Sequence, residues 1–125
     1  MKSVFFLADV KDIFEILARL LLIHGGDRVG HEVAQIIDSQ GRALTVFPSD
    51  KAYEQEVTEP PIAIRGTPPS TSLSGLSWCV VECRWEDIIL HWIQQLAPLT
   101  GGLWVLDGDG VLWNSNDLVA GEIRL

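Results

Sequence analysis

The chain has 125 residues, of which 47% are hydrophobic and 21% are charged. This composition is typical of one folded domain with its own core, and the length is too short for two such domains. The 17 acidic residues outnumber the 9 basic ones, so the formal net charge is −8. An acidic surface repels phosphate groups, which argues against a nucleic-acid partner and favours a basic protein partner.

The sequence also argues against secretion and membrane insertion. Its apolar start ends at Asp9, which is short for the apolar core of a signal peptide. The most apolar later run, residues 20–23, lies in a segment with several charged side chains. No stretch approaches the ~18 uncharged residues of a membrane span. We therefore expect a cytoplasmic protein without a membrane partner.

The first part of the chain predicts a strand followed by a helix. Residues 3–8 are mostly apolar or aromatic, as strands prefer. Apolar residues then recur at helical spacing over about 11–24, with charged residues on the other side of the helix. Asp9 is the expected N-cap, and Gly25 is the expected end.

A hairpin follows this helix. Strands are predicted at 33–37 and 43–47, and the turn between them is Asp38-Ser39-Gln40-Gly41. Gly41 would supply the positive φ that follows a type I turn. Residues 3–47 are therefore predicted to form a strand–helix–strand–strand unit.

Residues 48–76 form an acidic connector that holds five of the 6 prolines. Residues 62–65 predict a short edge strand, because two prolines precede them. The acidic side chains of this segment are dense enough to repel one another, so fold stability alone does not account for them. We regard Glu54, Glu56 and Glu59 as candidate contacts with a basic partner.

Residues 77–118 repeat the order of elements seen in residues 3–47. The predicted elements are a strand at 77–83, a helix at about 86–97 and hairpin strands at 104–106 and 111–113. Both halves share an Asp-x-x-Gly turn between two apolar strands. Pairing Leu106 with Val111 in the second hairpin would set Trp104 opposite Trp113.

The second turn contains Asp107 and Asp109 in a D-x-D-G frame, which resembles the nucleophile motif of haloacid-dehalogenase-like phosphatases. That resemblance would require further strands with a lysine after the motif. Only 15 residues follow Gly110, and none of them is lysine. The first turn lacks the second acid, and both turns keep the entry Asp and the exit Gly. We therefore predict a backbone turn, in which Asp accepts local hydrogen bonds and Gly adopts a positive φ.

The cysteine and histidine residues predict neither a disulfide nor a metal site. Cys79 and Cys83 lie four residues apart on a strand, which separates their Cα atoms by ~13 Å and points both thiols to one face. His24, His31 and His91 have no metal-ligand spacing with them, and no nucleophile lies at a recognisable spacing. We expect no cofactor and no catalytic group, although one glutamate and a water could serve as a general base.

Glu82 is the most unusual residue of the second half, because its counterpart in the first half is Leu7. A carboxylate in a core-like position is costly unless it is paired. One interpretation is an ion pair with a neighbouring arginine. The other is a cation-binding acid in a cleft, with Trp78 and Trp85 as cation–π surfaces.

We predict an α+β fold in which the two repeats, about 3–47 and 77–118, form a single domain. Its sheet, or two abutting sheets, would be mostly antiparallel, with both helices on one face. The order of elements is similar in outline to the duplicated unit of gyrase-inhibitor-like ligand-binding domains. Two functions stay open: a non-enzymatic inhibitor of a basic toxin or enzyme, of the immunity-protein type, and a domain that binds a cationic or aromatic small molecule between the repeats.

Overall fold

The computed structural model describes residues 3–125 and has an α+β fold. Its helices are α1 (Ile13–Ile23), α2 (Lys51–Thr58) and α3 (Glu86–Leu96). Its strands are β1 (Ser3–Ala8), β2 (Asp27–Val29), β3 (Val33–Ile37), β4 (Ala43–Pro48), β5 (Ala63–Arg65), β6 (Ser77–Glu82), β7 (Leu103–Leu106) and β8 (Val111–Asn114). The α+β class and the mostly antiparallel pairing predicted from the sequence are confirmed.

Within residues 3–125 the strands form one sheet in the order β2-β3-β4-β6-β1-β7-β8-β5. Neighbouring strands are antiparallel except β5 and β8, which are parallel. The first strands of the two halves, β1 and β6, pair with each other at the centre. The hairpin of each half then pairs with the first strand of the other half, β7 with β1 and β4 with β6. The strands of neither half are therefore contiguous in the sheet.

One core cluster contains the apolar sides of α1 and α3 together with alternate residues of the central strands. Phe6 of β1 and Cys79 of β6 are completely buried in it. Cys83 belongs to the same cluster, which confirms that the two thiols share a face. Both cysteines are free, and burial raises the pKa of each thiol, so the thiolate form is disfavoured.

The remaining residues of the central strands enter a second cluster with α2. Phe5, Leu7 and Val80 alternate with the residues of the first cluster, so they lie on the other face of the sheet. Val57 of α2 is completely buried against them, and the ring of Tyr53 meets that of Phe5 edge to face at 5.7 Å. Apolar side chains thus cover both faces of the central strands.

The N-cap of helix α1 lies three residues later than the sequence predicted. Its N-cap is Asp12, whose side chain accepts a hydrogen bond from the backbone N–H of Glu15 at 3.2 Å. The backbone N–H of Ile13 donates instead to the hydroxyl of Ser77, on a strand of the other half. The cap bond of Asp12 spans only three residues, and Asp9 was wrongly predicted as the cap. The expected end at Gly25 agrees with its φ of 92°.

The connector contains more structure than the sequence predicted. The predicted edge strand is confirmed as β5, which pairs with β8 at the rim of the sheet. Helix α2 was missed. Asp50 caps it by accepting a hydrogen bond from the backbone N–H of Ala52 at 3.0 Å. Only Val57 of this short helix is buried, so its apolar periodicity is too weak to identify it in the sequence.

The register of the second hairpin differs from the predicted one by one residue. Leu106 pairs with Leu112, so Trp104 faces Asn114 and Trp113 faces Val105. Gly110, with a φ of 81°, takes up the extra residue in the turn. A shift of one residue reverses the face of every side chain on the strand. Trp104 and Trp113 therefore belong to different core clusters, and the predicted cross-strand pair is wrong.

Candidate functional site

A pocket of about 500 Å³ lies where the two halves meet, on the side of the sheet that α1 and α3 cover. The first half contributes the C-terminal end of α1 and the hairpin of β3 and β4. The second half contributes the first turns of α3. The lining residues are His24, Ile36, Ile37, Asp38, Arg42, Asp87, Ile88, His91 and Trp92.

The apolar part of the pocket is built around Trp92. The rings of His24 and His91 both meet the Trp92 ring edge to face, with centroid distances of 5.3 Å and 5.0 Å. Trp92 itself is buried in the core, whereas Ile37 is 58% exposed on the hairpin side. The pocket therefore joins an aromatic cluster to an exposed aliphatic side chain.

His24 has a defined hydrogen-bonding role. Its Nδ1 lies 2.9 Å from the backbone carbonyl oxygen of Leu20. A carbonyl oxygen only accepts, so Nδ1 carries the proton and donates it. In the neutral ring Nε2 is then left as an acceptor.

The charged part of the pocket is a chain of three side chains from the two halves. Arg42 donates from Nε to Oδ2 of Asp38 at 2.9 Å, within its own hairpin. Its Nη1 donates to Oδ2 of Asp87 at 3.1 Å, at the start of α3. The guanidinium group also lies 5.8 Å from the centroid of the Trp85 ring. Arg42 thus links the hairpin of the first half to the helix of the second.

Asp38 is held in its charged form by several donors. The backbone N–H of Arg42 contributes most to the lowered pKa of the Asp38 carboxyl, and the Arg42 side chain and the backbone N–H of Gln40 lower this pKa further. In return, the hydrogen bond to Asp38 is the main cause of the raised pKa of Arg42. This pair is therefore a fixed charged element at the rim of the pocket.

The candidate residues Glu82, Trp85 and Trp78 do not line this pocket. Glu82 and Trp85 border a separate depression with Gln35 and Thr45. Gln35 donates to the hydroxyl of Thr45 at 2.8 Å, and Thr45 lies beside Glu82 in the sheet. No ion pair of Glu82 is found within residues 3–125, so the expected arginine partner is not seen there.

Trp78 instead packs with the second core cluster, where its ring meets that of Phe5 edge to face at 5.9 Å. Trp78 is not among the residues that border the Glu82 depression. The two residues lie four positions apart on the same strand and face.

The acidic candidates Glu54, Glu56 and Glu59 lie on α2 or directly after it, on the side of the sheet opposite the pocket. All three side chains are exposed. Glu59 accepts a hydrogen bond from the side chain of Gln55 at 3.1 Å. Glu56 and Glu59 also border a shallow depression beside the second hairpin turn. The structure thus presents these acids to solvent.

The D-x-D-G motif forms a backbone turn, as predicted. Oδ1 of Asp107 accepts from the backbone N–H groups of Asp109 and Val111, and Oδ2 accepts from the Trp113 indole at 3.0 Å. The backbone N–H of Arg124 is a fourth donor, at 3.3 Å from Oδ2. Asp109 is largely exposed and lies 3.9 Å from the guanidinium of Arg124. The two carboxylates therefore have separate structural contacts.

Sequence reasoning missed the residues that build the pocket. His24 and His91 showed no metal-ligand spacing in the sequence, and Arg42 was given no role. One local signal exists: Asp87 and His91 are spaced by four residues, which places them on one side of α3. Positions 24, 42, 87 and 91 converge because the hairpin of each half pairs with the first strand of the other half.

Comparisons with protein-family models, with curated proteins and with solved structures find no match for this chain. Within residues 3–125 no group of three or more His, Cys, Asp or Glu side chains is arranged to hold a metal ion. None of the helices in the same range is long and apolar enough to span a bilayer.

Proposed function

We propose that this protein is a small-molecule-binding module whose ligand occupies the pocket between the two halves. The observation that carries the proposal is the convergence of apolar, aromatic and charged side chains from both halves on one cavity of about 500 Å³. This volume lies within the range of about 300–1,000 Å³ that is common for ligand sites. Such sites combine an apolar lining with a few polar groups that orient the ligand.

The pocket has both of these components. Ile36, Ile37 and Ile88 offer aliphatic surface, and Trp92 adds an aromatic wall. The polar groups are confined to the Asp38–Arg42–Asp87 chain and the two histidines. This location supports the expected site between the repeats, with a set of residues different from Glu82 and Trp78.

The proposal can be tested by titrating a ¹⁵N-labelled sample with a library of small fragments and following backbone amide shifts. Pocket ligands should shift the amides of Ile37, Arg42 and His91 together. The variant Ile37→Trp should fill the pocket and abolish these shifts. Ile64→Trp is the matched control, because Ile64 is 44% exposed on β5 at the far edge of the sheet. Fragments that bind elsewhere, or that ignore Ile37→Trp, would contradict the proposal.

A second candidate function is the capture of a basic protein by the exposed acidic residues of α2 and of its C-cap. Its support is the exposure of Glu54, Glu56 and Glu59 on one short segment of a chain whose net charge is −8. In this role the protein would act as a cytoplasmic inhibitor of a basic toxin or enzyme. Charges of this kind steer encounter more than they hold the complex.

The test of this second function is binding kinetics against a basic partner recovered from the native cell. Neutralising the three acids together, Glu54→Gln, Glu56→Gln and Glu59→Gln, should slow association and leave dissociation and the melting temperature nearly unchanged. The association rate of the unaltered protein should also fall as salt increases. If the association rate changes neither with the triple substitution nor with salt, α2 is not part of the interface.

A further inference from the structure

The charges of Asp38, Arg42 and Asp87 at the rim of the pocket do not cancel. Asp38 and Asp87 both contact one guanidinium group, that of Arg42. With the histidines neutral, the three charges sum to one net negative charge. The whole chain is also acidic, so its field adds to the same sign. A ligand with a negative group would meet two carboxylates there, whereas a positive group would complete the balance.

Asp87 is the carboxylate that can exchange partners. Its side chain is 68% exposed, and Arg42 reaches it through Nη1 alone, at 3.1 Å and 3.3 Å from the two oxygens. Asp38 is 33% exposed and is held by two backbone N–H groups as well as by Nε of Arg42. Exposed ion pairs contribute little to stability, so the Arg42–Asp87 contact is the one that a ligand can replace at small cost.

The neighbouring groups favour a ligand that donates hydrogen bonds. When its ring is neutral, His24 has Nε2 as an acceptor, because Nδ1 already donates to Leu20. Beside these acceptors, Ile37, Ile88 and Trp92 form the apolar part of the pocket. An amine attached to an aromatic or branched aliphatic body would satisfy both parts together.

We infer that the ligand class of this pocket is a cationic amine on an apolar or aromatic body, whose ammonium group replaces Arg42 on Asp87. This inference rests on the proposed small-molecule function and names the class of its ligand. Arg42 then acts as an internal competitor for the ligand. Removing Arg42 should strengthen the binding of a cation, and removing the Asp87 charge should weaken it.

A matched pair of probes tests the charge preference. Tryptamine and 3-indolepropionate have the same ring and opposite charges, and both can be titrated against the full chain while amide shifts are followed. We expect tryptamine to shift the amides that line the pocket and to bind about tenfold more tightly than the propionate, which corresponds to one charge-assisted contact. Equal affinities, or a preference for the propionate, would overturn the inference.

Three variants test the exchange at Asp87. Asp87→Asn should weaken tryptamine binding about tenfold, and Arg42→Gln should strengthen it severalfold. Glu54→Gln is the control, because it removes the same charge from an exposed site on the other side of the sheet and should leave Kd unchanged. Weaker tryptamine binding in a folded Arg42→Gln variant would overturn the exchange. If Arg42→Gln unfolds, an unchanged Kd in Asp87→Asn overturns it instead.

The fragment titration separates failure of this inference from failure of the proposed function. If neutral or acidic fragments bind the pocket and are lost in Ile37→Trp while amines do not bind, the small-molecule function stands and the amine inference is wrong. If no fragment binds the pocket, both are wrong. Preferential binding of amines, weakened by Asp87→Asn, supports both.

Discussion

The turns at residues 38–41 and 107–110 have the same backbone hydrogen bonds and different surroundings. In each, the backbone N–H of the entry Asp donates to the carbonyl oxygen of the residue four positions later, and the carbonyl oxygen of the Asp accepts from the backbone N–H of the exit Gly. Oδ1 of each Asp accepts from two further backbone N–H groups. The φ angles of the exit residues Gly41 and Gly110 are 78° and 81°. The Asp-x-x-Gly pattern therefore specifies one turn geometry in both halves.

The second carboxylate oxygen makes the difference between the two turns. Oδ2 of Asp38 accepts from the side chain of Arg42 at the rim of the pocket. Oδ2 of Asp107 accepts from the buried indole of Trp113 and from the backbone of Arg124, and only 5% of Asp107 is exposed. The same local turn thus holds a charge at a candidate binding site in one half and ties the C-terminal segment to the core in the other.

The largest expected effect concerns the tryptophans that flank the second turn. Trp104→Ala and Trp113→Ala should each lower the free energy of unfolding by about 3–5 kcal/mol, because both side chains are buried. They lie on opposite faces of the sheet, so the losses from the milder Trp104→Phe and Trp113→Phe should add to within about 0.5 kcal/mol. Urea unfolding of the two single variants and the double variant measures this. Coupling above about 1 kcal/mol would mean that the rings are in contact.

An intermediate effect on stability is expected when either of the two entry aspartates, Asp38 or Asp107, is replaced. Asp107→Ala should cost about 3 kcal/mol, because the buried Trp113 indole and three backbone donors lose their acceptor. Asp38→Ala should cost about 1 kcal/mol, since its donors lie nearer to solvent. Urea unfolding should also show that Asp109→Ala stays within about 0.5 kcal/mol of the unaltered protein. Equal losses at Asp38 and Asp107 would show that the turn alone sets their contribution.

The smallest effect is the pH dependence of the stability that Asp38 contributes in the first turn. The lowered pKa of Asp38 means that its contribution to stability is present above the ordinary value of 3.8 and is lost as pH falls through the lower folded value. Carboxyl chemical shifts followed by NMR should show this midpoint below 3.8. Arg42→Gln should raise it only in part, because the backbone donors remain in the turn. A midpoint at the ordinary value in the unaltered protein would contradict the hydrogen-bonding pattern of Asp38.

Local patterns predicted most elements, because hydrophobic period and turn chemistry act over a few residues. The strand at 3–8, the hairpin of β3 and β4, and the strand inside the connector all follow from such patterns. Helix α2 was not predicted, because Val57 is its one buried residue and the helix therefore has little apolar periodicity. The N-cap of α1 was predicted at Asp9, whereas the Asp12 side chain accepts the capping hydrogen bond from the backbone N–H of Glu15. The register of the second hairpin was predicted one residue off, because the turn at Gly110 accommodates one more residue than expected.

The candidate site was much less predictable than the elements. Glu82 stood out because its counterpart in the first half is Leu7, and Trp78 because its ring could offer a cation–π surface beside that acid. Neither residue lines the pocket. His24 and Arg42 are ordinary in their local context. They gain a possible role in binding only through neighbours from the second half, Asp87 and His91.

Composition, periodicity and turn chemistry are local properties, so they were enough to predict the acidic charge, the α+β class and the two Asp-x-x-Gly turns. The central pairing of β1 with β6, and the pairing of each hairpin with the first strand of the other half, became apparent only in the folded chain. Such pairing follows from which apolar faces pack together across the whole chain, and no short stretch encodes it. The pocket is a product of that exchange, since it brings the hairpin of one half against the helix of the other.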